Sequence, residues 1–260
     1  MDSALRKEIK QILITKIETK LNQSDLSKKS GNPFVDILFG DLSNLKSFIH
    51  GMATTLGSSY EKIATTIAKS NSEFIEAKKL DFSGKISDQE KTVIKDIVKD
   101  LEEAGGGSNY NGEVKAIYNA KDSSLRKTRI TIDLYLKNKS GKEFFIEMKG
   151  PDPNKKEVRA AKEDLLNVIA MKKRSTPFSE LNKKVAVIFG VYYNNQDGEY
   201  DNWKVSPMFE KQKGILLQEE FWDFLGGKGT YGELLEIIKE VRDEIYPKIK
   251  KKLKPITDKL

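Results

Sequence analysis

The sequence predicts an α+β protein (α/β in the broad sense): a central mixed sheet flanked by helices, with a helical N-terminal region. Three observations carry that expectation. Leu5, Ile9, Leu13, Ile17 and Leu21 recur every four residues, which places one apolar face on a helix over residues 3–22. Arg129–Lys137 and Glu143–Lys149 alternate apolar and polar residues around the turn Asn138–Gly141, the pattern of a β-hairpin. The apolar, β-branched run Val185–Tyr193 follows a helical pattern from about Lys155 to Arg174. A strand, a helix and a strand in that order imply a right-handed crossover and a parallel pairing, so the sheet is mixed.

The remaining elements follow in chain order. Gln23–Asn32 reads as a polar loop and Pro33–Phe39 as a short apolar segment, with a helix after Asp41. Ser58–Ala68 reads as a separate helix opened by the capping box Ser58-x-x-Glu61. Residues 87–104 form an amphipathic helix with Ser87 and Glu90 as its capping box, and Val93, Ile94, Ile97, Val98 and Leu101 turned inward. Gly105–Gly107 is the sharpest break in composition. Before it the chain reads as nearly all helix; after it strands appear. The glycines are either a boundary between a mainly helical region, 1–104, for dimerisation, DNA binding and flanking the site, and a core with a C-terminal helix, 105–260, or a flexible turn into the sheet. Either way the two regions form one compact unit. Phe221–Leu225 is a short apolar helix and Thr230–Lys252 the terminal one.

Composition removes several chemistries. With 260 residues, 38% hydrophobic and 33% charged, the chain can bury a sizeable core and is not of a disordered composition. It has no cysteine, which excludes disulfides and thiolate zinc sites, and one histidine, His50. Hydrolysis by this chain therefore rests on carboxylates, lysines and a hard cation. No apolar run is long enough for a transmembrane helix, and Met1–Lys10 shows no secretory apolar segment; both point to a cytoplasmic protein. A net charge of +7 favours a polyanionic partner only mildly.

One constellation fits such chemistry. Glu147 and Lys149 are two apart on a strand and so share a face. Asp133 and Glu147 lie seven residues either side of Ser140, which brings them abreast in the hairpin. Two carboxylates bind a hard divalent cation; the lysine holds the attacking water or neutralises charge on a phosphodiester. The E-x-K string alone is weak. It recurs at Glu8–Lys10, Glu18–Lys20 and Glu76–Lys78, which read as helical, and at Glu113–Lys115, which follows no Asp-bearing strand. The alternative for 133–149 is a solvated, charged hairpin face.

T-I-D-L-Y-L (131–136) and F-I-E-M-K-G-P-D-P-N-K-K (145–156) resemble type II restriction endonucleases of the TdeIII family. So do N-P-F (32–34), T-T-L-G-S-S-Y-E-K-I-A (54–64), V-I-F-G-V-Y-Y-N (187–194) and F-W-D-F-L-G-G (221–227), in the same order along nearly the whole chain. The resemblance implies a PD-(D/E)XK nuclease core using Mg²⁺, with Mn²⁺ as a substitute. It implies cleavage of double-stranded DNA at a short palindromic, GC-rich site of the GGNCC type by a homodimer. By position it makes Asp133 and Glu147 metal ligands and Lys149 the catalytic lysine. Ile132 stands where the superfamily's name has proline. Glu61 is a further metal-ligand candidate, because enzymes of this fold often take an acidic group from an N-terminal helix.

For DNA contact the sequence offers Lys155, Lys156, Arg159 and Lys162 on the helix after the motif, with Arg159 the better base reader. Arg126, Lys127 and Arg129 flank the first motif strand. Asn194, Asn195 and Gln196 either read bases or simply make a turn. The G-V-Y-Y string at Gly190 is better explained by core packing. Two alternatives to a restriction enzyme stay open at this point: another nuclease of the same fold, such as a junction resolvase or repair nuclease, and a DNA-binding protein without catalysis.

Overall fold

The computed structural model describes residues 1–24, 37, 42–103, 107–211 and 213–258. The expected loop at 23–32, the apolar segment at 33–39, the N-P-F motif and most of Gly105–Gly107 lie largely or wholly outside them. The chain forms two compact units, one of Met1–Thr66 with Gly229–Leu260 and one of Ile67–Lys228. The first division falls at Thr66, not at the glycines where composition changes.

The first unit is helical. Helix α1 (Ser3–Gln23) begins where Asp2 accepts a hydrogen bond from the Leu5 N–H, and it buries the expected residues together with Ile12 and Ile14. It packs on α8 (Thr230–Thr257), whose Leu234, Ile237, Val241 and Ile245 are buried. Helix α2 (Leu42–Ser70) is continuous, which corrects the separate helix expected at Ser58. Ser58 is mid-helix and its hydroxyl donates to the Thr55 carbonyl, so no capping box exists there.

The second unit is built on a five-stranded sheet of order β1-β2-β3-β4-β5: β1 (Phe74–Ile86), β2 (Arg126–Asn138), β3 (Glu143–Lys149), β4 (Val185–Val191) and β5 (Ile215–Leu217). The first three strands pair antiparallel, and β3, β4 and β5 pair parallel, giving the mixed sheet expected. Around it run α3 (Asp88–Glu103), α4 (Tyr110–Asn119), α5 (Lys155–Lys172), α6 (Phe178–Lys184) and α7 (Gln218–Gly226). Strand β1 overturns the reading of the first hundred residues as nearly all helix. Its sequence, FIEAKKLDFSGKI, carries five charged residues among thirteen because one side stays exposed, so it lacks an apolar run. Long antiparallel pairing with β2 makes it a strand, an instance of tertiary context overriding local pattern.

The core lies between the sheet and α3, α4 and α5. Ile94, Val98, Ile117, Phe145, Leu165, Ile169 and Phe189 form part of one buried cluster, each contributing roughly 1.5–3 kcal/mol of hydrophobic stabilisation. The capping box at Ser87 is present: Ser87 and Glu90 exchange side-chain and backbone hydrogen bonds. Gly190 is needed in β4 because a Cβ there would come within 2.8 Å of the Phe221 ring; core packing holds for Gly190 and Val191 of the G-V-Y-Y string, whereas Tyr193 is exposed. The hairpin turn closes with Gly141 at φ +84°, donating to the Asn138 carbonyl.

Candidate active site

The local pairing of β1 and β2 decides which side of the sheet the site occupies. Lys78 lies opposite Tyr135 and Leu80 opposite Ile132. One residue of β1, Lys79, therefore faces two of β2, Asp133 and Leu134. This is a β-bulge, and it shifts the phase of alternation. Ile130 and Ile132 before it and Tyr135 after it all belong to the same core cluster, an odd spacing that strict alternation forbids. Leu134 pairs instead with Ile146, and Leu136 with Phe144, on the other side of the sheet. The expected single apolar face of Ile130, Ile132, Leu134 and Leu136 is thus split in two. The run Leu134-Tyr135-Leu136, three apolar residues after clean alternation, is the signal that marks the phase change.

Asp133 is two before Tyr135, which pairs with Phe145, so the unshifted β2–β3 register brings it to the side of Glu147 and Lys149. The bulge makes this the side that Ile130 and Ile132 also face. The Lys149 ammonium lies 2.5 Å from Glu147 Oε1 and 3.6 Å from Asp133 Oδ2, and it donates to the Met148 carbonyl at 3.3 Å. The Met148 N–H donates to Asp133 Oδ2 at 3.0 Å and fixes that carboxylate. Three oxygens from two strands thus surround one cation. The side chains are 13% (Asp133), 14% (Glu147) and 25% (Lys149) exposed, sheltered yet open to a substrate.

Two residues missed in the sequence join this group. Lys79, on the strand expected to be helix, brings its ammonium within 3.8 Å of Asp133 Oδ1. Asp164 on α5 adds negative field. Burial and then Asp133 push the Glu147 carboxyl up to about 7, with Asp164 adding to this and Lys149 pulling the other way. Burial works against charge on Lys149, but Glu147 and Asp133 outweigh it and hold the ammonium above its ordinary range. Burial, then Glu163, also raises Asp164. Asp133, Glu147 and Asp164 outnumber Lys149 and the more exposed Lys79, which leaves a sheltered negative field, the condition under which a further cation is attracted. The donor set (two carboxylates and a peptide carbonyl) is all oxygen and suits a hard divalent ion that keeps water and phosphate oxygens as its other ligands. Among the described residues, no group of three or more acidic, histidine or cysteine side chains stands ready to hold a metal.

The other candidates are placed as follows. Glu61 lies within α2, in the first unit, its carbonyl accepting from the Thr65 hydroxyl. Lys155, Lys156 and Arg159 are exposed at the start of α5, Arg159 beside Glu102 at 3.2 Å. Lys162 is a correction: it is buried, 2.6 Å from Glu113, and not on the exposed basic face. The helix turns it inward, one step round from Arg159, against Phe209 and Ser108. Arg126 and Lys127 are exposed, Arg126 paired with Asp88 and the nearby Arg129 with Asp81. The Asn194 amide donates to the Gly198 carbonyl and accepts from the Gln196 N–H, while Gln196 bonds twice to Asp201. Those two make a turn; Asn195 is exposed. Glu76–Lys78, read as helical, lies on β1 as an exposed ion pair at 2.5 Å. Proximity to Asp133, not strand location, therefore distinguishes Glu147–Lys149.

A family model described as type II restriction endonuclease, HinfI, matches residues 1–242. The chain belongs to that family. The enzyme HgiEI of Herpetosiphon aurantiacus is 23% identical over 216 residues, 80% of this chain and 76% of that one. MjaII of Methanocaldococcus jannaschii is 29% identical over 211 residues, 76% of this chain and 55% of that one. HgiCII of Herpetosiphon aurantiacus is 32% identical over 124 residues, 48% of this chain and 44% of that one. All three are named type II restriction enzymes; the match spans less than two thirds of MjaII and HgiCII. No solved structure matches the chain. The family shown is HinfI, where the sequence segments resemble TdeIII. No helix among the described residues is long and apolar enough to cross a membrane.

Proposed function

We propose that this chain cuts double-stranded DNA at a short palindromic site through a PD-(D/E)XK centre made by Asp133, Glu147 and Lys149. The observation that carries the reading is the β2–β3 hairpin that gathers two carboxylates and a lysine around one point, in a chain of a restriction-endonuclease family. Asp133, Glu147 and the Met148 carbonyl would hold Mg²⁺, or Mn²⁺ in its place. The bound ion supplies Lewis acidity and a more acidic water. Glu147 and Met148 orient the Lys149 ammonium, which then faces the attacking water and the charge that grows on the phosphate. Lys79, at the bulge, reaches a phosphate oxygen from the other side. Lys155, Lys156, Arg159, Arg126 and Lys127 hold the duplex, mostly through phosphates. A homodimer matches a two-fold symmetric site, for which the TdeIII resemblance supports a GC-rich sequence of the GGNCC type.

The test is a plasmid digest with Mg²⁺, beside EDTA and Asp133→Asn controls, with the fragment ends sequenced. Discrete fragments from the wild type alone, sharing one end sequence, are expected. Cutting without sequence preference, or a preference for branched over plain duplex, would overturn the reading. Glu61→Gln in the same assay tests the further acidic ligand expected from the sequence, and sedimentation with a duplex tests the dimer.

A further inference from the structure

The loop after β4 presents an aromatic side chain in an unusual way. Trp203 is 67% exposed, yet its neighbours Tyr200, Asn202, Val205, Met208 and Phe209 are all buried. The mount is rigid. The Tyr200 hydroxyl and the Asn202 amide both donate to the Pro151 carbonyl, at 2.8 Å and 3.0 Å. Asn202 also accepts from the Val205, Ser206 and Lys204 N–H groups, through its carbonyl and side-chain oxygens. Pro151 is two residues beyond Lys149, so the indole is tied to the end of the strand that carries the active site.

The chemistry around the ring is cationic. The Lys155 ammonium lies over the indole at 4.7 Å and that of Lys204 at 6.0 Å; Lys204 is also paired with Asp152. A cleft of about 50 Å³ opens beside the ring, between Glu102, Leu101 and Pro207. It is too small to take a whole base, so the indole offers a face and the cleft an edge. Glu102 at that edge is paired with Arg159, which puts a hydrogen-bonding acceptor and donor next to the ring.

We propose that Trp203 is a stacking platform for a base of the bound DNA, with Lys155 and Lys204 contacting the phosphates beside it. The inference rests on the nuclease reading above. Inside a duplex the base faces are covered by their neighbours, so the base on the ring is one extruded from the helix. An exposed indole between lysines offsets the unstacking cost by stacking on it, and does so whatever the base. A base that settles on the ring displaces the Lys155 ammonium, whose flexible stem carries it to the phosphate of the same strand. Pre-organisation of the loop lets this happen without ordering a mobile segment.

The chain has two tryptophans, and Trp222 is buried with its indole N–H on the Tyr192 carbonyl. The difference in emission between wild type and Trp203→Phe thus reports Trp203 alone. The probe is a duplex oligonucleotide carrying the mapped cleavage sequence, with Ca²⁺ replacing Mg²⁺ under conditions first shown to leave it uncut. Saturating duplex is expected to quench the Trp203 emission and to lower its acrylamide quenching several-fold. Trp203→Ala, with unchanged circular dichroism and Tm, should weaken binding roughly 5- to 150-fold by anisotropy, and Trp203→Phe much less. Tight duplex binding with unaltered Trp203 emission, or wild-type affinity in Trp203→Ala, would overturn the stacking role while the nuclease reading stands. A wild type that neither binds nor cuts any duplex removes both.

Discussion

Two lysine–carboxylate clusters of the same unit show how similar residues come to serve different ends. Lys162 and Glu113 are 4% and 7% exposed, one cation for one anion. Ser108 completes the shell, donating to Glu113 and accepting from Lys162. Burial pulls the Lys162 ammonium below its ordinary range, against the opposing effect of Glu113. The pair is closed, balanced and out of reach of a substrate. At the candidate site, three carboxylates (Asp133, Glu147 and Asp164) outnumber Lys149 and the exposed Lys79, the group is several-fold more exposed, and Glu147 is pushed up to about 7. An unbalanced, accessible cluster is a poor way to stabilise a fold and a good way to hold a further cation. The difference teaches that stoichiometry and access, not residue type, separate a structural ion pair from a candidate catalytic one.

Four experiments can break or sharpen that contrast. The largest effect is expected at the bulge. Asp133→Asn or Glu147→Gln should lower plasmid cleavage by on the order of 10³-fold, while the metal-free Tm holds or rises because carboxylate repulsion is relieved. A fall in Tm matching the loss of cutting would make the cluster structural. The closed pair should behave in the opposite way. Lys162→Met leaves Glu113 buried and uncompensated, at a cost of about 3–5 kcal/mol by urea denaturation. Adding Glu113→Leu should recover most of it, and the folded fraction should cut DNA normally. Selective loss of DNA affinity in Lys162→Met, with stability intact, would restore the surface role the sequence suggested.

A smaller effect is expected at Lys79. Removing one phosphate contact by Lys79→Met should cut affinity about tenfold at low salt and reduce the salt slope by about one. An unchanged slope would confine Lys79 to its contact with Asp133. The smallest effect is spectroscopic. In metal-free protein, carbon NMR should show Glu147 titrating near 7. Lys149→Met should move that midpoint up and Asp133→Asn should move it down. Because the folded value lies above the unfolded one, this carboxyl's contribution to stability declines as pH rises from about 4.5 to about 7. A midpoint in the ordinary carboxylate range would contradict the sheltered, mutually repelling geometry.

Much of the second unit was legible in the chain. Alternation around Asn138–Gly141 gave the hairpin and its register, since Leu134 pairs with Ile146 at the spacing counted from Ser140. The capping residue Ser87 marks a helix start, and the apolar run at Val185 marks the buried parallel strand. These are local signals, set by turn chemistry, caps and period. What stayed hidden is non-local. Strand β1 looked helical because its charges are explained only by pairing with β2, some fifty residues on.

By itself, then, the sequence determined the chemistry available to this protein: no cysteine, one histidine, and a hairpin that sets Asp133 abreast of Glu147 and Lys149. Residue type and short-range period suffice for that, because both are properties of the chain. Tertiary structure decided which charges meet. The bulge opposite β1 puts that group on the core side of the sheet and brings Lys79 to Asp133, the rotation of α5 buries Lys162 while leaving Arg159 exposed, and the Pro151 anchor holds Trp203 outward. Each depends on a partner far along the chain, and neither spacing nor composition carries the position of a distant partner.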